Sequence, residues 1–429
     1  MTHANSLLKF LDESPCNFFA IQNAASLLEK SGFSRLDTRE RWTLKPGDRH
    51  YVIKNDSAIF AFIVGNRAEA GWKIISSHSD SPGFRIKPHP EIIIDNSIVK
   101  LNTEVYGGPI LYTWFDRPLS IAGRIFLKND KNLFDPQRLF IRCQKPLMTI
   151  PHLAIHYNRN VNDGNPLSKQ KDMLPVAALI NQKSEADNFL INIISDIAHV
   201  EKEAIADFDI ALYDTTPACF IGRDNEFISS SRIDDLMMVY SSLVAITSKS
   251  DIASDCTRMI AVFDNEETGS GTKQGAASPV LHNILKRINC CIGGTDEIYF
   301  RAIDNSFMIS ADNAHALHPN YPEKQDPTNH PIPGKGPVIK INANCKYMTD
   351  ALSATIFENL CQRADVPFQH FVNHSDSAGG STLGNILTSQ IDLRGVDMGA
   401  AQWAMHSCRE TAASADVNYT IRVFEEFFS

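Results

Sequence analysis

Apolar runs short enough to be strands alternate with helix-length amphipathic stretches in two separated parts of the sequence, and this interrupted rhythm restricts the fold more than any other feature. In the first part, NFFAIQNAASLLEKSGF (17–33) places Ile21, Ala25 and Leu28 on one helical stripe, with Asn17 as N-cap and Gly32 at the C-terminal stop. SAIFAFIVG (57–65) and GWKIISSHSD (71–80) then read as apolar strands, the second ending in polar residues. After Ser231 the alternation resumes with a helix over 234–248, strand MIAVF (259–263) and a helix after Gly275. Strands SFMISAD (306–312) and VIKIN (338–342) and a helix over 350–364 follow. Strands separated by helices pack as a layered α/β sheet.

Between the two parts the texture differs. EIIIDNSIVKL, ILYTWF and SIAGRIFLKN are short β-rich runs with Gly107 and Gly108 between them, and one helix is expected over 188–200. A chain of 429 residues exceeds what one hydrophobic core usually supports. The expected architecture is therefore an α/β domain formed by 1–89 and 231–429, interrupted by a mostly β insertion over 90–230.

Composition narrows the function. A net charge of -9 argues against a nucleic-acid or anionic-membrane surface, which needs clustered Lys and Arg. Nine cysteines form no CxxC pair and leave an odd count, which points to reduced thiols and away from zinc-thiolate sites. The first residues, MTHANSLLKFLDESP, lack the features of a secretory leader, and no later run approaches a membrane span. The expected compartment is the cytoplasm, and the expected chemistry involves small molecules or peptides.

The residues able to carry that chemistry stand at predicted strand ends and loops: His78 and Asp80, Asp234 and Asp235, Glu266 and Glu267, Asp312, and His406. Carboxylates and imidazoles are the ligands that borderline divalent metals take. In open α/β sheets, sites form beyond the carboxyl ends of the strands, where distant positions converge. Taken singly, each has an ordinary reading as well. His78 can be a surface histidine in a turn, Asp234 a helix N-cap, and Glu266 and Glu267 a solvated pair opening a helix. His315 and His318 can be loop residues, and His406 a packed histidine.

SSHSDSPGFRIKP, YGGPILYTWFDRPL, IPHLAIH, SSRIDDL, VFDNEETGS, ADNAHALHPNY, GPVIKIN, SDSAGGSTLG and AMHSCRE, in this order, resemble the M18 aminopeptidase family, whose best known member is aspartyl aminopeptidase. The resemblance implies a zinc-peptidase-type α/β catalytic domain, an inserted dimerisation domain, and two Zn2+ ions per subunit bridged by Asp234. It assigns His78 and Asp312 to one ion and Glu267 and His406 to the other. Glu266 would be the general base and Asp80 would orient His78. On an extended segment, neighbouring carboxylates point in different directions, so Glu267 can face metal while Glu266 faces the substrate water.

The same resemblance places Lys340 at the acidic side chain of the substrate and Tyr347 near the scissile carbonyl, with His315 and His318 as further substrate contacts. Its ordinary alternative is a lysine on an edge strand. His156 matches a histidine that reaches a neighbouring subunit in a homo-dodecamer built from dimers; a histidine packed in a core is the ordinary alternative. The family commonly reads Arg-Leu-Asp-Asn where this chain has Arg232, Ile233, Asp234 and Asp235. The expected activity is release of an N-terminal residue, preferably Asp or Glu, from unblocked peptides. A neutral preference, a carboxypeptidase or deacylase at the same site, and a non-catalytic peptide-binding scaffold are the alternatives.

Overall fold

The computed structural model describes residues 2–129, 131–248, 251 and 253–429. It forms two compact units: one of residues up to Asp80, Ala218–Met405 and Glu410–Ser429, the other of Ser81–Pro217 and His406–Arg409. The sequence-based expectation placed the insertion at 90–230. The long strand Gly83–Ile94 begins before the change in composition, and strand Cys219–Ile221 pairs with Phe227–Ser230, which in turn pairs with Glu410–Ala413 in the first unit.

The first unit is a mixed α/β fold around a nine-stranded sheet among the described residues. Its centre is four adjacent parallel strands, Thr257–Phe263, Trp72–His78, Phe307–Ala311 and Arg394–Gly399. Strand Ala58–Ile63 shows why the apolar runs are continuous: Ile59, Ala61 and Ile63 enter one core, whereas Ala58, Phe60 and Phe62 enter another on the opposite face. Side chains alternate across a strand, so a sheet covered by helices on both faces needs apolar residues at every position. Full burial of Phe60 and Phe62 contributes roughly 1.5–3 kcal/mol each.

Helices His3–Glu13, Asn17–Lys30, Ile233–Ser248 and Ser414–Phe427 supply the first core, and Val280–Cys291 and Leu383–Thr388 the second. Two local expectations change. A helix not expected from the sequence, His3–Glu13, precedes the one over 17–33, capped by the Thr2 hydroxyl, which accepts from the Asn5 amide. Cys16, not Asn17, is the N-cap of the next; Asn17 lies inside it and donates to the Asp264 carboxylate at 3.0 Å.

Among the described residues, the second unit holds a six-stranded sheet and the helix Phe189–Ala198. Leu190 and Ile194 of that helix are fully buried with Leu101, Ile121 and Ile125 of the sheet. Among the described residues no helix is long and apolar enough to cross a membrane.

Candidate metal centre

Parallel register brings the carboxyl ends of the central strands together. Phe263 lies opposite His78, and Ser310 opposite Ser76, so the residues following Phe263 and Ala311 emerge beside His78. Asp312 follows the third strand, and Asp234 and Asp235 begin the buried helix Ile233–Ser248. Ligand atoms of His78, Asp234, Asp235 and Asp312 lie within 4.8 Å of one another. A second group at that spacing consists of His78, Glu266 and Glu267.

The glutamates are not on an extended segment, as the sequence reading had them. Asn265 turns the chain into the left-handed region at φ 62°, and Glu266–Thr268 form a 3-10 turn. Each residue of such a turn rotates by about a third of a circle, so the neighbouring carboxylates still diverge. Asp264 anchors the entry, accepting from the Asn265 amide at 2.9 Å and from Gln274 at 3.3 Å.

Asp80 fixes the pair directly. One of its oxygens accepts from the Glu266 amide at 3.1 Å and the other from the Glu267 amide at 3.2 Å. The closest contact of His78 Nδ1 is with the Asp80 backbone carbonyl, at 3.0 Å, while the Asp80 carboxylate is 3.5 Å away. With Nδ1 donating there, Nε2 remains as the ligand atom, 3.5 Å from Asp234.

Sequence reasoning missed other supports. The His78 amide donates to Asp235 at 3.1 Å, and the Asp234 amide donates to Glu410 at 3.0 Å. The Asn313 side chain donates to the Ile233 carbonyl at 3.0 Å and to Gln402 at 2.8 Å, securing the turn before Asp234. The doubled Asp234 and Asp235, an echo of Glu266 and Glu267, was the available signal for a role at 235; nothing local marked Glu410. The Asp234–Asp235 peptide bond is cis.

The electrostatics of this cluster would favour a bound cation. Burial, joined by like charges, pushes the Asp235, Asp312 and Glu267 carboxyls up, and Glu266 is pushed up to about 8. Burial pulls the His78 imidazole down, but Asp234, Asp235 and Asp80 outweigh it and raise it well above its ordinary value. Asp235 Oδ1 is buried with no hydrogen-bond partner among the described residues. Such a set of carboxylates around an imidazole fits a zinc-type cation, which would offset the mutual repulsion.

Lys340 is buried, with its ammonium 3.5 Å from Asp312. Its strand, Val338–Ile341, lies between two others, so the edge-strand alternative fails. Burial lowers the Lys340 pKa, yet the negative charge of Asp312 leaves it raised overall. The buried Tyr347 ring has its centroid 5.8 Å from that ammonium. His315 is exposed beside Phe371, and His318 packs on Tyr321; neither is among the clustered ligand residues.

His156 and His406 belong to the second unit. His156 is exposed, which removes its reading as a packed core histidine. His406 has φ 69° and places Nδ1 3.1 Å from the Gly108 carbonyl.

Comparison with known proteins agrees with this picture. The family model described as aminopeptidase I zinc metalloprotease (M18) matches residues 10–428. A probable M18 family aminopeptidase 2 of Clostridium novyi (strain NT) is 49% identical over 428 residues, spanning 99% of this chain and 98% of its own. Its counterpart in Clostridium acetobutylicum is 47% identical with the same coverage. Among solved structures, the cryo-EM structure of the Ape4 and Nbr1 complex matches with a TM-score of 0.95 and 33% identity, over 99% of this chain and 85% of that one. The S. cerevesiae mApe1 dodecamer matches at 0.86 and 26%, over 99% and 96%.

Proposed function

This chain belongs to the M18 aminopeptidase family of zinc metalloproteases, and from that premise we propose that it releases the N-terminal residue, preferably Asp or Glu, from unblocked peptides with two zinc ions per subunit. The observation that carries the reading is the Asp80 carboxylate, which accepts from the amides of both glutamates and holds Glu266 and Glu267 against His78.

One ion would be held by His78, Asp234 and Asp312, the other by Asp234, Glu267 and, on the resemblance alone, His406. When bound, zinc supplies Lewis acidity, lowering the pKa of water towards neutrality and polarising a carbonyl. Glu266 would take the water's proton on its carboxylate and deliver it to the leaving amine. Lys340 would receive the acidic side chain of the substrate through a charge-assisted hydrogen bond, with Tyr347 beside the scissile carbonyl. His315 and His318 would contact the peptide further out. The second unit would be the dimerisation domain of a homo-oligomer, with His156 reaching a neighbouring subunit. The dodecamer of the yeast relative supports that assembly. None of the nine cysteines forms a disulfide among the described residues, in keeping with a place in the cytoplasm.

Unblocked and N-acetylated dipeptides assayed with and without a chelator test the reaction. Only unblocked peptides should be cleaved, and only by metal-loaded protein; cleavage that survives chelation or acetylation sinks the proposal. A second reading, preference for neutral N-terminal residues, is favoured by the Lys340–Asp312 ion pair at 3.5 Å, which already occupies the ammonium. The ratio of kcat/KM for Asp against Leu substrates decides between them.

A further inference from the structure

Away from the candidate metal centre, the first unit contains a cavity of about 870 Å³, within the range of small-molecule sites. Its lining includes none of the residues discussed above. One wall is a single face of the helix Val280–Cys291, presenting Val280, Ile284 and Arg287 at helical spacing. The segment carrying Arg41 and Trp42 lines the cavity as well, together with Lys54 at the end of strand Arg49–Lys54.

The cavity is built rather than accidental. The Arg287 guanidinium stacks 3.7 Å from the Trp42 ring centroid and donates to the Thr38 and Glu40 carbonyls at 2.8 and 2.6 Å. The Trp42 indole donates to the Asp37 carbonyl at 2.8 Å. These bonds fix the loop to the helix without neutralising the charge of Arg287.

That charge has company. Arg41, Lys54, Lys286 and Arg287 line the cavity with no carboxylate among the lining residues, in a chain whose net charge is -9. Lys286 is answered by Asp296 at 3.2 Å. Lys54 is half-buried, and its ammonium has no hydrogen bond or ion pair among the described residues. Asp37, whose field partly offsets Lys54, closes instead on Arg39 at 3.0 Å. A solvated basic face is the ordinary explanation of clustered lysines, but it does not account for an unpaired ammonium partly withdrawn from water beside a fixed guanidinium.

We propose that this cavity binds a small phosphate-bearing molecule, its phosphate oxygens held by Lys54 and Arg41 and its apolar part against Val280 and Ile284. Phosphate recognition uses clustered Lys and Arg, and the mixed walls suit a ligand with one charged and one apolar end.

Calorimetric titration of the metal-loaded full chain with pyrophosphate, AMP and adenosine tests the site. Both phosphates should bind and adenosine should not. Tighter binding of AMP identifies a nucleotide as the ligand, and tighter binding of pyrophosphate an inorganic polyphosphate. Lys54→Met and Arg41→Ala should each weaken binding by about tenfold. Equal binding by wild type and variants, as metal capture by pyrophosphate would give, overturns the site, as does no binding at millimolar concentration. Should Lys54→Met fail to fold, Arg41→Glu at its exposed position puts the same question. Peptide hydrolysis by each variant reports its folding, so loss of this site is distinguishable from loss of the catalytic reading.

Discussion

Asp80 has two jobs, divided between its backbone and its side chain. Its carbonyl sets the His78 tautomer, while its carboxylate receives two adjacent amides that would otherwise point into a buried space. Asparagine there would keep one acceptor and turn an NH2 group against the other amide. Asp80→Asn should therefore lower metal affinity by about 10–100-fold and reduce kcat while KM changes little. Metal content after dialysis, measured beside kcat, checks it; normal metal retention would mean that the carboxylate does not organise the ligands. Glu266→Gln should behave oppositely, retaining metal while turnover falls by about 10²–10⁴-fold. Unchanged turnover would remove Glu266 as the base. Lys340→Ala should depress kcat/KM for Asp and Glu substrates far more than for Leu, and equal losses would instead assign Lys340 to holding Asp312.

At the scale of elements, the sheet strands and their helices were legible because burial on both faces makes strands continuously apolar, as in Ala58–Ile63. The strands of the small five-stranded sheet, such as Ala314–His315 and Ala401–Trp403, were not; two or three residues are too few to show a period. Candidate ligands were legible as polar residues terminating apolar runs. Their supports were not, because Glu410 reaches the Asp234 amide across 176 positions that no local pattern links. Asp416, in the first turn of helix Ser414–Phe427, is another unread support: it accepts from the Gly334 and Gly336 amides at 2.7 and 3.0 Å, holding the chain before the Lys340 strand. Gly336 has φ 90°, and a Cβ there would lie 1.8 Å from the Pro367 carbonyl oxygen, so only glycine fits this clamp. Burial raises the Asp416 pKa from 3.8 to about 7. The folded state then binds more protons than the unfolded state between those values, so this contribution is full below the lower one and is lost as pH rises through the upper. Asp416→Asn does not titrate; the stability of wild type relative to the variant should fall by on the order of 3 kcal/mol between pH 4 and 8. Thermal midpoints of both proteins at the two pH values, at fixed metal and protein concentration, measure it. A gap that stays constant with pH would show that Asp416 remains ionised throughout.

For the whole molecule, the proposed assembly has a physical motive within the second unit. Leu133, Phe134, Ile155, Tyr157 and Leu179 are more than half exposed there, with Phe134 at 99%. Large apolar side chains left in water mark surfaces that other chains cover. His156 lies between Ile155 and Tyr157, so a partner covering those two side chains would also meet the imidazole. Assembly and activity are then coupled through one segment. Tyr157→Glu should lower the mass in solution from twelve times the 47.8 kDa chain towards smaller species, with a parallel fall in kcat. His156→Ala should leave the mass unchanged and reduce kcat alone. Light scattering on the fractions assayed for hydrolysis separates the cases. Small species with full activity would show each subunit's site to be complete by itself, and His156 would lose its proposed role even if the dodecamer stood.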